Sequence, residues 1–345
     1  RSAVTHFAWY CASQAAGGVY RGTMNWRLPS WDTTDPSMKP VSQREISFGA
    51  EKKLTEDLSL SVRLVQKHLI RTIEDIGVLT PEGELYYNAN PGFGWSLPIA
   101  QGGRFADTTE AGNTYWPTPK AKREYYGMNL SFEKRFSHNW QGGINYTLSK
   151  VEGNYGGLSS TDEGGRNSPN VERYFDLWFL AYDLQGKELS GLLPQNRTHY
   201  IKAYGSYVFP FGMTVGFVGY ARSGYPLTTN LAANNVGIYP NNRGDLGTLP
   251  FTMWADLYVE YALKISGKQT LAFNLQVNNV TNTKTWQTVD PTVNRIGMNF
   301  SDDQILLGTT NWEGLLATSW PNEAFNKYTS QFGTWTARFG ARFSF

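Results

Sequence analysis

The residues of this sequence that could bind a metal or act as a nucleophile are few and far apart. The histidines are His6, His68, His138 and His199, and no two have the spacing of a metal-binding pair on one helix or strand. The single cysteine, Cys11, excludes an intramolecular disulfide framework and a thiolate zinc cage. The sequence therefore predicts no catalytic residue, no cofactor-binding residue and no metal ligand, and the protein is not expected to be an enzyme.

Two acidic pairs, Asp162-Glu163 and Asp302-Asp303, are the best candidates for a cation site, because Ca²⁺ binds several oxygen ligands. Solvated loop charges are the commoner explanation of such pairs, and no metal is assigned to them. The 31 basic and 29 acidic residues are spread along the chain without a basic stripe. Nucleic acid, which is bound by such a stripe, is therefore not an expected partner.

The composition favours strands and turns. Aromatic residues make up 15% of the chain and glycine occupies 35 positions, whereas charged residues make up 17%, below the roughly 25% of soluble domains. Mean hydropathy is −0.43, and no run approaches the length of a transmembrane helix. A membrane protein without such helices must be a closed β-barrel, because only a barrel pairs every backbone group in lipid.

A two-residue alternation of apolar and polar side chains is clearest at 253–264. One face carries Met253, Ala255, Leu257, Val259, Tyr261 and Leu263. The other face includes Trp254, Asp256, Tyr258 and Glu260. Similar patterns predict about ten strands, at 3–12 (the weakest), 45–54, 58–64, 126–133, 140–148, 199–209, 213–223, 253–264, 271–277 and 334–345.

The predicted connections alternate between short and long. The turns at 55–57, 137–139, 210–212 and 265–269 are short, whereas the connections at 13–44, 76–118, 153–198, 224–252 and 280–333 are long. Outer-membrane barrels have short periplasmic turns and long extracellular loops. The fold class is therefore predicted to be all-β, an antiparallel transmembrane β-barrel. Its long loops are expected to be folded surface structures with little regular secondary structure.

The last strand carries the most specific pattern. Trp335, Ala337, Phe339, Ala341, Phe343 and Phe345 share one face. This strand resembles the C-terminal signal of bacterial outer-membrane proteins, which the barrel-assembly machinery recognises. The resemblance implies that Phe339, Phe343 and Phe345 form the assembly signal. The alternation in the two preceding strands predicts a second set of residues, facing outer-membrane lipid: Leu257, Val259, Leu271, Phe273 and Leu275.

Four further segments are similar to the C-terminal barrel of TonB-dependent receptors, particularly the Oar-like group with a carboxypeptidase-regulatory-like domain. They are Leu193-Pro194-Gln195-Asn196-Arg197-Thr198-His199, Arg222-Ser223-Gly224-Tyr225-Pro226, Asp256-Leu257-Tyr258-Val259-Glu260-Tyr261 and Val277-Asn278-Asn279-Val280-Thr281-Asn282. The resemblance covers most of the chain from about residue 35 onward. It implies a barrel of about 22 strands with a plugged lumen.

The resemblance implies that residues 1–345 are the C-terminal part of the barrel domain, with the plug and N-terminal domains absent from this chain. The missing strands are expected either from a longer protein or from another chain, and the N-terminus has no signal-peptide pattern. Strand 3–12 is then expected to pair with an upstream strand, and 334–345 with the first strand of the complete barrel. The TonB complex would be contacted through the absent N-terminal region.

Three functions are compatible with these patterns. The first is uptake of an unknown ligand across the outer membrane of a Gram-negative bacterium, with energy supplied by TonB. The second is a non-transporting scaffold barrel in an assembly with other outer-membrane proteins. The third is a self-contained ten-stranded barrel protease with acidic and histidine side chains at its rim.

Overall fold

A computed structural model describes most of the chain. The described residues are 34–80, 83–94, 118–157, 175, 178–233, 236–300, 308, 310–318 and 320–345. Predicted strand 3–12 and the two acidic pairs lie outside them. No helix among the described residues is long and apolar enough to cross a membrane.

The regular elements are almost all strands. In chain order they are β1 (Ser42–Lys53), β2 (Leu58–Arg71), β3 (Glu74–Thr80), β4 (Gly83–Ala89), β5 (Arg123–Ser137), β6 (Trp140–Gly153), a 3-10 helix (Trp178–Ala181), β7 (Gly191–Leu192), β8 (His199–Val208), β9 (Met213–Arg222), β10 (Leu231–Ala233), β11 (Val236–Ile238), β12 (Thr252–Ser266), β13 (Gln269–Asn278), β14 (Trp286–Val289), α1 (Trp312–Thr318), β15 (Tyr328–Gln331) and β16 (Thr336–Ser344).

Nine long strands form one antiparallel sheet in the order β1-β2-β5-β6-β8-β9-β12-β13-β16, with β7 paired beside β6 as the tenth. Each of the nine corresponds to a strand predicted from the alternation, so these predictions are confirmed. Among the described residues, β1 and β16 are the two ends of the sheet path. Whether strand 3–12 and β16 pair with strands outside this chain stays a prediction.

The register places apolar and polar residues on opposite faces, because directly paired residues point to the same side of a sheet. One apolar row across the strands contains Ala50, Val62, Leu130, Tyr146, Ile201, Ala221 and Met253. A polar row on the other side contains Glu51, Ser61, Ser131, Asn145, Lys202, Tyr220 and Trp254. We call these two sides the apolar face and the polar face.

The strands are joined alternately by tight turns and by long connections. The turn between β5 and β6 consists of His138 and Asn139, whose φ angles are 50° and 67°. Positive φ at both central residues is the backbone of a type I′ turn, which suits the twist of a hairpin. At the turn between β1 and β2, hydrogen bonds from Lys134 and Ser137 hold the pKa of Asp57 well below its usual range.

The long connections contain more regular structure than the sequence indicated. Three of them contain the paired strands β3–β4, β10–β11 and β14–β15, the last together with α1, and a fourth contains the 3-10 helix and β7. These strands have at most 7 residues, so alternation over about ten residues does not reveal them.

The long connections also pack against one another, and we call their described residues the loop layer (72–80, 83–94, 118–122, 154–157, 175, 178–198, 223–233, 236–251, 279–300, 308, 310–318 and 320–335). One buried cluster contains Leu180, Ala181, Tyr182, Leu184, Leu231, Ala233, Ile238, Val293, Met298, Phe300 and Trp312. Backbone hydrogen bonds join its parts, from Asn230 N to Pro291 O at 2.8 Å and from Val293 N to Asn230 O at 2.9 Å. The loop layer therefore has a hydrophobic core of its own.

Candidate functional site

A cavity of about 570 Å³ lies within the loop layer. Its walls come from three of the long connections and consist of Pro194, Gln195, Arg197, Tyr225, Pro226, Leu227, Thr228, Asn230, Tyr239, Thr288, Val289 and Pro291. This volume lies within the range of small-molecule binding sites, roughly 300–1,000 Å³. The lining mixes apolar side chains with hydroxyl and amide groups and a single charged residue, Arg197.

The backbone around Tyr225 fixes one wall of the cavity. Leu249 N donates to Tyr225 O at 3.0 Å, and Leu227 N donates to Gly247 O at 2.8 Å. Gly224 packs so closely against Leu249 that a Cβ atom there would overlap its carbonyl oxygen. Residues 224–227 are therefore held against the segment that leads into β12.

Arg197 and Tyr225 form the floor of the cavity. The guanidinium carbon of Arg197 lies 4.8 Å from the centroid of the Tyr225 ring, and Nη1 donates to Ser223 O at 3.1 Å. Burial and the neighbouring Arg222 charge lower the pKa of Arg197. The hydroxyl of Tyr225 donates to Gln287 O at 2.7 Å, and burial raises its pKa.

Below the floor, cations and aromatic rings continue down the polar face. Arg222 lies 5.1 Å from the Trp254 ring centroid, and Trp254 stacks on Tyr220 at 4.7 Å and 16°. Lys202 lies 5.8 Å from the Tyr220 ring. Cations over aromatic faces are attracted by the ring quadrupole. We call this set the cation–aromatic column: Arg197, Tyr225, Arg222, Trp254, Tyr220 and Lys202.

No carboxylate among the described residues lies within ion-pair distance of the three cations of the column. The nearest acidic side chain along β12 is Asp256, which accepts a hydrogen bond from Asn279 N at 2.7 Å. Some other cations of the polar face have carboxylate partners, as in Arg63 with Glu45 at 3.3 Å and Arg342 with Glu260 at 3.2 Å. The column brings together three cations that have no carboxylate partner among the described residues.

The five residues predicted to face lipid all lie on the apolar face. Val259 is paired directly with Leu275, Leu271 lies opposite Leu263, Phe273 lies opposite Tyr261, and Leu257 lies opposite Val277. The structure therefore brings all five onto one surface. That this surface contacts lipid stays a prediction.

The predicted assembly signal lies at the β16 end of the same face. Phe339 is paired with Leu275 and Phe343 with Leu271, and Phe345 follows the strand. The exposed fractions of Phe339 and Phe345 are 74% and 92%. Recognition of these side chains by the barrel-assembly machinery stays a prediction.

The described histidines are separated from one another. His199 stacks on Tyr146 with the ring centroids 6.1 Å apart and hydrogen-bonds its hydroxyl at 2.8 Å. His68 contacts Glu124, and His138 lies in a turn. Across the part of the chain that the structure describes, no three His, Cys, Asp or Glu side chains are grouped closely enough to hold a metal.

Sequence reasoning did not assign a binding role to the cation–aromatic column. The segments that carry the family resemblance include Arg197, Arg222 and Tyr225. The alternation correctly placed Trp254 and Leu257 on different faces of the sheet. The strands that supply Lys202 and Tyr220 have a blurred alternation. The available signal was the combination of basic and aromatic residues near the loop ends of β8 and β9, with Trp254 at the loop end of β12.

Comparison with known proteins agrees with the architecture. A family model described as "Outer membrane beta barrel domain" matches residues 10–237. The TonB-dependent transporter Oar of Myxococcus xanthus is 29% identical over 265 residues, which cover 75% of this chain and 22% of that protein. The chain thus spans about a fifth of the length of this curated relative.

Solved structures of outer-membrane proteins are also similar. The outer membrane transporter YddB of Escherichia coli has a TM-score of 0.50 and 12% identity, over 89% of this chain and 33% of that one. The ferric-catecholate import receptor Fiu of E. coli K12 has a TM-score of 0.41 and 14% identity, over 74% of this chain and 25% of that one. The YddB match supports the fold alone.

Proposed function

Because this chain belongs to the outer membrane β-barrel domain family, we propose that it is the barrel portion of a TonB-dependent receptor that captures a ligand outside the cell and takes it up. The coarser conclusion, an outer-membrane protein of the transporter family, follows from the family match and the likeness to Oar. Ligand uptake and the use of TonB energy are the proposed part.

The cavity in the loop layer, with the cation–aromatic column that begins at it, is the observation that carries this proposal. It is formed by three connections that are far apart in sequence, and the cation–aromatic column leads from it down the polar face. Polar residues line the interior of outer-membrane barrels. In this proposal, a ligand held by the loops stands directly above the interior through which it would be released.

The uptake proposal is tested in the source organism with three strains: wild type, a strain lacking the gene for the full-length protein, and a strain lacking TonB. Depletion of small molecules from a defined medium is measured by mass spectrometry. We expect the first deletion to abolish depletion of a small set of compounds, and the TonB deletion to abolish depletion of the same set.

Unchanged depletion in the strain without the receptor would contradict uptake. The scaffold alternative predicts a different result in the same strain, namely loss of other outer-membrane proteins from purified membranes. No contact among the described residues specifically favours that alternative.

A further inference from the structure

We propose that the cation–aromatic column binds a carboxylate of the ligand, while an apolar part of the same ligand occupies the cavity above it. This inference rests on the proposed uptake function, because it names the chemical class of ligand that the same site would take.

The first support is the distribution of charge. Arg222 lies close enough to Arg197 for its charge to lower the pKa of Arg197, and Lys202 on β8 lies over the Tyr220 ring of the same column. On the same face Glu45 pairs with Arg63 and Lys67, and Glu260 pairs with Arg342. Three cations without a described carboxylate partner, the first of which lines the cavity, are suited to an anion that arrives from outside.

The second support is the number of donors that the arginines keep available. A guanidinium group has five N–H donors in a planar fork that matches a carboxylate. Within the described residues, Arg197 donates only to Ser223 O at 3.1 Å, and Arg222 only to Gln287 Oε1 at 3.4 Å. Arg197 lies over the Tyr225 ring and Arg222 over the Trp254 ring. These cation–π contacts orient the two guanidinium groups and use none of their N–H donors.

The third support is the chemistry of the cavity walls. Pro194, Pro226, Leu227, Val289 and Pro291 provide apolar surface, which favours an apolar body. The amide and hydroxyl groups at Gln195, Thr228 and Thr288 can orient backbone-like polar groups. A short peptide with an apolar side chain and a free C-terminal carboxylate combines these properties in the available volume.

The test uses matched probes and the full-length protein purified in detergent. The probes are N-acetylated dipeptides that end in leucine or phenylalanine, each made as the free acid and as the C-terminal amide, and affinity is measured by calorimetry. A hydrogen-bonded ion pair in a partly buried site corresponds to about tenfold to a hundredfold in affinity. We expect the acids to bind more tightly than the amides by a factor in this range.

Variants assign that preference to the column. Arg197→Gln should bring the acid and amide affinities within about twofold of each other, and Arg222→Gln should reduce the preference less. Arg342→Gln removes a cation on the same face that already has a partner, so the acid preference should stay as in the wild type. Heat-modifiable migration on gels checks that each variant is folded.

The carboxylate inference is wrong if acids and amides bind equally, if neither binds at millimolar concentration, or if Arg342→Gln lowers the preference as much as Arg197→Gln. A different result would contradict the uptake proposal while leaving the carboxylate inference intact. An acid preference that depends on Arg197, in a protein whose deletion changes no depletion from the medium, would retain the binding site and refute transport.

Discussion

The sheet and the loop layer of this protein differ in how far their apolar side chains are buried. On the apolar face of the sheet, Phe48 and Phe339 have exposed fractions of 69% and 74%. In the loop layer, Leu231 is fully buried at 0% and packs in a cluster with Ile238 and Val293. The loops have a core like that of a soluble domain, and the sheet has a large apolar surface that the described residues do not cover.

This difference indicates that the two regions are stabilised by different surroundings. A soluble protein rarely exposes a continuous apolar surface of this extent, whereas the outward surface of a barrel is apolar because lipid surrounds it. The loop layer buries its apolar side chains against one another, so it does not depend on lipid to cover them. Substitutions of the same kind should therefore have different costs in the two regions.

The largest effect is expected from Leu231→Ala. Leu231 lies opposite Ile238 in the β10–β11 pair and is enclosed by the loop-layer cluster, so truncation leaves a cavity. Such changes cost about 2–5 kcal/mol. Hydrogen exchange measured by mass spectrometry on the full-length protein should show faster exchange at residues 180–184, 231–238 and 293–300.

The matched control is Leu271→Ala on the apolar face, which removes the same atoms. Lipid chains can fill the space that this truncation leaves, so the cost should be smaller. Equal destabilisation by the two substitutions would remove the distinction between a packed loop layer and a lipid-solvated sheet.

The second effect is the cost of a charge on the apolar face. Leu257 lies near the middle of its strand, paired with Phe217 and Val277, and Leu257→Arg should cost about 2–4 kcal/mol if it lies near the bilayer midplane. The neighbouring Asp256→Asn should be mild, since an amide oxygen can still accept the 2.7 Å hydrogen bond from Asn279 N. Urea titration in lipid vesicles measures both, and equal stabilities would reverse the assignment of the two faces.

The sheet was predictable because its pattern is local and long. Six alternating apolar positions from Met253 to Leu263 specify a strand and both of its faces without knowledge of the neighbouring strands. Strand ends were less predictable. β2 was predicted only as far as Leu64 but continues to Arg71, where the alternation stops because Leu69 is buried beneath the loop layer.

The loop layer and the candidate site were not predictable from the sequence, because the contacts that define them join distant segments. Asn294 fixes the backbone of Ala232 through two hydrogen bonds of 2.9 Å across 62 positions. Arg197, Arg222 and Trp254 likewise meet only because β8, β9 and β12 are neighbours. The composition of 193–199 suggests a loop before a strand, but it does not indicate that Arg197 lies over the ring of Tyr225.

A smaller effect is expected at the turn between β5 and β6, where backbone strain and not burial determines the cost. Asn139 has a φ of 67°, which asparagine tolerates better than other residues with a Cβ atom. Asn139→Ala should destabilise the folded barrel by about 1 kcal/mol, whereas Asn139→Gly should be close to neutral. Both variants keep the backbone carbonyl of residue 139, which accepts a hydrogen bond from Val208 N at 2.8 Å. The change in unfolding free energy measured by urea titration therefore reports the cost of the backbone conformation alone.

The smallest effect on stability is expected at the end of the last strand. Phe345 is 92% exposed and contacts Phe343 at the edge of the apolar face, with their ring centroids 6.1 Å apart. Phe345→Ser therefore removes little packing, and the urea midpoint of the assembled protein should change little. If the barrel-assembly machinery recognises Phe345, the same substitution should slow the appearance of heat-modifiable protein in the outer membrane without reducing export.

Phe211→Ser, at an exposed aromatic residue in the turn after β8, is the matched control. Assembly of the Phe345 variant at the wild-type rate would exclude this residue from the signal, and equal slowing by the Phe211 variant would show that the effect follows from lost aromatic surface and not from recognition of the strand end.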